Sequence, residues 1–199
     1  MKLRKLELKD APLMLEWMHE PSVVENMKTD FTSKSIEDCE SFIKAAQNCV
    51  FDLNLAIADD EDIYMGTVSL KHIKNGTAEF AIAVRKVAMG QGYSKFGMAM
   101  IIKIGFEKLG LKKIYWCVSS ENKRAIRFYD KNGYKRVETD TIEDILCGGG
   151  GQSSGNRILY MVSANRNLRR EKELLIVFGG RKQLNIENLF LQRNAGHEI

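Results

Sequence analysis

The spacing of apolar positions changes several times along the chain, and each change marks an element. Leu3, Leu6 and Leu8 stand among charged residues and predict an opening strand. Asp10 reads as the cap of a helix with Pro12 in its first turn and Leu13, Leu15, Trp17 and Met18 behind it. Pro21 ends that helix and can open a second over residues 22–27. Ser35-Ile36-Glu37-Asp38 resembles a capping box, and Ile36, Cys39, Phe42, Ile43 and Ala46 then recur at helical spacing as a buried stripe.

After Asn48 the period falls to that of a strand. Phe51, Leu53, Leu55 and Ile57 alternate up to the acidic turn Asp59-Asp60-Glu61-Asp62, and residues 63–72 read as the hairpin partner. Asn75-Gly76 signals a further tight turn. The third strand carries Ala78, Phe80, Ile82 and Val84 on one face and Thr77, Glu79, Ala81 and Ala83 on the other. The middle of the chain is therefore an antiparallel meander.

Residues 92–109 return to helical spacing, with Met98, Ile101, Ile102, Gly105 and Phe106 as the buried face and Gly110 as the stop. A strand over residues 114–118 precedes a helix over 121–131, capped by Ser119 or Ser120 and closed by Gly133. Residues 134–137 and 158–162 read as two more strands. The glycine- and serine-rich stretch between them, residues 148–155, has nothing to pack and is expected to be mobile.

Composition changes this picture little. With 199 residues, 44% hydrophobic and 28% charged, the chain is of ordinary globular type and can bury its own core. Thirty basic against twenty-six acidic residues give +4, a surplus too small and scattered for a nucleic-acid binder but compatible with one local anion site. Cys39, Cys49, Cys117 and Cys147 show no CxxC pair and no metal-ligand spacing, so reduced thiols and no metal are expected. The charged opening residues lack the apolar core of a signal peptide, and no run approaches the roughly 18 apolar residues of a membrane span. A soluble cytoplasmic protein with no membrane partner is expected.

The stretch with the most chemistry is Met89-Gly90-Gln91-Gly92-Tyr93-Ser94, which follows a strand and opens the long helix. Successive backbone N–H groups at a helix start converge on an anion, and glycines allow a diphosphate to come close. Arg85, Lys86 and Lys95 could add charge around it. A Walker loop is excluded because Ser94 precedes Lys95, and a dinucleotide fold is disfavoured because antiparallel strands precede the turn. A glycine-containing turn without a ligand is the alternative.

Three segments together carry a specific resemblance: residues 78–84, the glycine turn, and Asn122-Lys123-Arg124-Ala125-Ile126-Arg127-Phe128-Tyr129 running on to Gly133-Tyr134. They resemble the GNAT superfamily of acyl-coenzyme-A-dependent N-acyltransferases. In style they are similar to its Rim-type branch, whose members open with a helix like the one over residues 15–21. The resemblance covers residues 3–162 and implies an α+β fold. Its mixed, mostly antiparallel central sheet would have about six or seven strands flanked by about four helices, with a C-terminal appendage. A domain over residues 1–164 and an extension over 165–199, packed on the domain or on a partner subunit, follow from it.

The resemblance also implies roles. Backbone amides of Met89, Gly90, Gln91, Gly92, Tyr93 and Ser94 would hold the pyrophosphate of acetyl-coenzyme A, the co-substrate, while the strand at Ile82 and Val84 would pair with the pantetheine amides. Family members have Gln or Arg where Met89 stands and Gly or Ala where Ser94 stands. Tyr129 would protonate the departing thiolate, Asn122 would hydrogen-bond the pantetheine or a water, and Glu79 would be the base, with His72 a weaker alternative. From the residues alone, a core aromatic is the alternative for Tyr129, and a solvent-facing carboxylate fits Glu79 equally well.

None of the cysteines lies in a nucleophile motif, so direct attack of an amine is expected. The acceptor is a small-molecule amine or a protein N-terminus. Amino sugars or sugar nucleotides and protein N-termini lead, with polyamines and aminoglycosides also open. Glu16, Glu20, Glu25 and Asp30 are candidates to attract it. The rival is a non-catalytic acyl-coenzyme-A-binding sensor or interaction module. The apolar run over residues 174–178 must be buried somewhere, which points to a possible homodimer.

Overall fold

The computed structural model of the chain describes residues 1–27, 29–137 and 157–163. The glycine- and serine-rich stretch, the boundary at residue 164 and the C-terminal extension lie outside the described residues, as does Cys147. The elements run β1 (Lys2–Lys5), α1 (Ala11–Met18), α2 (Pro21–Val24), α3 (Ile36–Asn48), β2 (Leu53–Ala58), β3 (Tyr64–Lys74), β4 (Thr77–Val84), α4 (Tyr93–Glu107), β5 (Lys113–Ser119), α5 (Lys123–Lys131), β6 (Lys135–Val137) and β7 (Arg157–Ser163). Single 3-10 turns precede α1 and α4.

The strands form one seven-stranded sheet in the order β1-β2-β3-β4-β5-β7-β6. Every pairing is antiparallel except β4 with β5. This is the α+β arrangement with a mixed, mostly antiparallel sheet. The β3–β4 turn is tight because Asn75 and Gly76 both take positive φ, +51° and +75°, matching the twist of the strands it joins.

Each face of the sheet buries its own core. Leu55, Ile57, Val68, Leu70, Phe80 and Ile114 pack under Met98, Ile101 and Ile102 of α4, with Ile126 and Tyr129 of α5 beside them. On the opposite face Met14, Trp17, Cys39 and Ile43 from α1 and α3 cover Ala56 and Tyr64. Trp17 Nε1 donates to Tyr64 Oη at 3.0 Å, and that hydroxyl shares a hydrogen bond with Thr67 Oγ1 at 2.7 Å, so the polar atoms of this core are partnered.

Four local expectations are corrected. Asp10 precedes α1, but its carboxylate gives no cap bond, because it accepts both terminal nitrogens of Arg4 at 2.7 Å. The α3 capping box forms as expected between Ser35 and Asp38, whereas Phe42 is exposed: it lies about 100° round the helix from Ile43, and the buried stripe is only as wide as Cys39 and Ile43. Phe51 is exposed and outside β2, whose regular pairing with β3 ends at Leu53–Leu70; beyond it the Phe51 carbonyl is held by Ile73 N–H at 2.8 Å, and the side chain is left in solvent. Neither Ser119 nor Ser120 caps α5. Ser119 is still paired with Arg157 in the sheet, so the helix starts two residues later under Asn122.

Candidate active site

The site begins where two strands part. β4 and β5 pair only at Thr77–Lys113, Ala78–Ile114 and Glu79–Tyr115. Beyond Glu79, residues 80–84 have no strand partner on that side among the described residues, and β5 continues with β7 alone. An open strand edge offers N–H and C=O groups to an extended amide-bearing ligand, and Ile82 and Val84 lie along it.

The chain leaves the end of β4 through a 3-10 turn and enters α4 by Met89-Gly90-Gln91-Gly92. Gly90 and Gly92 have φ of +77° and +89°, which only glycine adopts without strain. A Cβ built on Gly90 meets nothing within 4 Å, so the space above the turn is open. Tyr93 and Ser94 are the first residues of α4, and no backbone carbonyl among the described residues accepts from them; the first intrahelical bond is Phe96 N–H to the Gly92 carbonyl at 2.9 Å. Free amides, the helix dipole and open space together suit an anion.

Two of the expected cations are committed elsewhere. Arg85 grips Glu16 with two nitrogens at 3.1 and 2.8 Å, and Lys86 Nζ lies 3.1 Å from Glu20 Oε1. The same pairs occupy Glu16 and Glu20, which had been candidates to attract an amine. Gln91 turns its amide back onto the Val87 carbonyl at 2.6 Å.

On the α4 side of the split, Trp116 of β5 packs edge-on against Phe80 of β4 at 5.4 Å and tilts against Tyr129 of α5 at 5.2 Å. Tyr134 and Tyr160 complete the cluster. Tyr129 is 7% exposed, and no group among the described residues hydrogen-bonds its hydroxyl. Burial, helped by Tyr160, pushes its phenol above the usual range, so it holds its proton throughout neutral and mildly alkaline conditions. The indole N–H of Trp116 is also buried, with no hydrogen-bond partner among the described residues. Asn122 does not share the helix face with Tyr129 as a helical residue. It caps α5, with its side-chain oxygen accepting Ala125 N–H at 3.0 Å, which leaves the carboxamide nitrogen as donor.

Glu79 lies on the other face of β4, on the side of Ala81 and Ala83, at the last paired position before the split. His72 Nδ1 lies 3.2 Å from Glu79 Oε2. The two bases weighed separately in the sequence thus form one pair. The bulge brings them together: His72 takes φ +52°, and its backbone N–H bonds the Asp52 carboxylate at 2.9 Å. Burial first, then the charge of Glu79, pushes Tyr115 up to about 12 and raises the Cys117 thiol. A raised thiol pKa disfavours thiolate, so Cys117 is a poor nucleophile.

The sheet therefore separates a proton-holding phenol on one face from a carboxylate–imidazole pair on the other, with the parted strands and the anion turn between them. Over residues 1–135 the chain matches the model of a family described as the acetyltransferase (GNAT) domain. The chain belongs to this family. As a GNAT acetyltransferase it is an N-acetyltransferase enzyme. It is 28% identical over 159 residues to the spermidine N(1)-acetyltransferase of Escherichia coli, covering 74% of this chain and 79% of that one. It is 27% identical over 142 residues to the uncharacterized N-acetyltransferase p20 of Bacillus licheniformis, covering 67% and 78%. Among solved structures, the spermidine N-acetyltransferase of Vibrio cholerae in complex with CoA and spermine superposes with a TM-score of 0.66 at 18% identity, covering 82% and 95%. At that identity the likeness concerns the fold. The same Vibrio protein has been solved as a dodecamer.

Among the described residues of this GNAT chain, no cluster of side chains suits a metal ion, and no helix is long and apolar enough to cross a membrane. A cavity of about 230 Å³ lies apart from the split, between the end of α3 and β2, lined by Lys5, Asn48, Asp52 and Asn54 among others. Neither Tyr129 nor any residue of the anion turn lines it.

Proposed function

We propose that this chain transfers the acetyl group of acetyl-coenzyme A directly to a primary amine. The observation that carries the reading is the parting of β4 and β5 beside a helix start with free amides. The turn of Gly90 and Gly92 would hold the diphosphate, and the open edge at Ile82 and Val84 would pair with the pantetheine arm. Asn122 would donate its amide hydrogens to that arm. Tyr129, held protonated by burial, would give its proton to the departing sulfur.

An aliphatic amine is mostly protonated at neutral pH, with an ordinary pKa near about 10. It must lose a proton before attack. Glu79 with His72 on the acceptor face would take it, directly or through a water. The amine nitrogen would then bond the thioester carbon as the C–S bond breaks, with no acyl-enzyme needed. Glu79 and His72 on one face of the sheet would take the amine proton, and Tyr129 on the other would give one to the sulfur.

Among acceptors, a polyamine leads over an amino sugar, a sugar nucleotide or a protein N-terminus. Support comes from the named activity of the Escherichia coli relative. Glu79 is the carboxylate nearest the split, whereas Glu16 and Glu20 are occupied by Arg85 and Lys86. The experiment is release of free thiol from acetyl-coenzyme A with a panel of spermidine, spermine, an amino sugar and an N-terminal peptide. Turnover with spermidine is expected. Stabilisation by acetyl-coenzyme A with no thiol release for any amine would overturn the transfer reading and leave a binding module.

A further inference from the structure

The anion turn raises a question of charge. Arg85 and Lys86, which precede it in the sequence, are committed to Glu16 and Glu20. Arg124, in the first turn of α5, is placed differently. Its Nη1 donates to the Ser22 carbonyl of α2 at 3.2 Å and lies 3.1 Å from the sulfur of Met89, the first residue of the turn. Its partners among the described residues are thus a neutral carbonyl and a thioether, and a thioether is a weak acceptor. Arg124 is exposed, and next to Met89 a Cβ built on Gly90 would meet nothing within 4 Å, so there is room for a ligand beside the turn.

We propose that Arg124 is the cation that clamps the diphosphate of coenzyme A over the turn at Met89, Gly90 and Gly92. The inference rests on the acetyl-coenzyme A reading above and names a side-chain cation for its diphosphate. A planar guanidinium can give two parallel N–H bonds to phosphate oxygens, which a thioether at position 89 cannot replace. The backbone amides of Tyr93 and Ser94 would bond the anion from the helix side, and Arg124 from the α5 side. Together they close the split over the ligand. In the ligand-free chain the same guanidinium rests on Ser22 and Met89.

The test is the affinity of the full chain and of Arg124→Gln and Arg124→Lys for acetyl-coenzyme A and for its 3′-dephospho form, by calorimetry. Loss of a charge-assisted bond predicts a dissociation constant about tenfold to hundredfold higher in Arg124→Gln, with Arg124→Lys between the two. The same loss is expected with the dephospho form, which keeps the diphosphate. Wild-type affinity should weaken more steeply with added salt than that of Arg124→Gln. A loss that disappears with the dephospho form would move Arg124 to the 3′-phosphate and overturn the proposal. A lower unfolding midpoint with unchanged affinity would make Arg124 only a strap between α5 and α2, and would also overturn it. If the wild-type chain fails to bind acetyl-coenzyme A, the parent reading itself falls; binding by wild type and Arg124→Gln alike sinks this inference alone.

Discussion

At the scale of single residues, protonation state decides what the site can do. Tyr129 is a donor because burial disfavours its phenolate. Tyr129→Phe keeps the ring packing against Trp116 and removes only the proton. Turnover should fall by about a hundredfold or more, the range of a positioned general acid, while affinity for acetyl-coenzyme A stays near wild type. Unchanged turnover would remove Tyr129 from the chemistry. On the other face, Glu79→Gln should lower kcat/KM for the amine by about a hundredfold, with affinity for acetyl-coenzyme A unchanged; a kcat/KM like that of wild type would pass the role to another group.

Burial of phenols also has a consequence for stability. Tyr64 and Tyr129 are both raised in the folded chain, chiefly by burial, and revert to about 10 when unfolded. Above that pH the unfolded state has lost protons that the folded state retains, so folding stability is full below about pH 10 and falls as pH rises further. Tyr64→Phe should flatten the fall in a series of urea midpoints. A midpoint independent of pH between 9 and about 11 in wild type would contradict the sign.

At the scale of elements, close backbone approach and strand irregularity shape the site. Gly66 of β3 lies so near β4 that a Cβ would stand 2.4 Å from the Ala83 carbonyl oxygen, a backbone atom that cannot swing away. Gly66→Ala should lower the denaturation midpoint clearly. Gly92, in contrast, has room for a Cβ, with only Met1 Cε at 3.8 Å, so its need for glycine is the φ of +89°. The α3 capping box was legible because Ser35 and Asp38 sit three positions apart in one turn. The start of α5 was not legible, because three capping residues compete there. Pairing of β5 with β7, far away in sequence, holds Ser119 extended and leaves the role to Asn122. The His72–Glu79 pair escaped for a similar reason: a bulge brings the ring to the carboxylate, and bulges have no clear sequence mark here.

At the scale of the whole molecule, the split couples the two sides of the sheet. A ligand seated on the β4 edge, the α4 start and α5 touches elements that are otherwise joined through the aromatic cluster of Phe80, Trp116 and Tyr129. Saturating acetyl-coenzyme A should therefore raise the melting temperature. The gain is about 2.7 kcal/mol at a hundredfold excess over the dissociation constant. A melting temperature unmoved by millimolar ligand would count against the proposed binding mode.

The amino-acid sequence by itself determined the order of strands and helices, the meander, the glycine turn at the start of α4 and the membership signalled by residues 78–134. These depend on hydrophobic period and on turn or cap chemistry carried within a few neighbouring positions. Tertiary structure decided the rest. It set how far β4 and β5 stay paired, that Arg85 and Lys86 face Glu16 and Glu20 rather than the turn, that His72 meets Glu79, and that Arg124 reaches Met89. The physical reason is range. Propensity and periodicity act along the chain, whereas the partner of a charge is chosen by which elements the sheet and its two cores bring together.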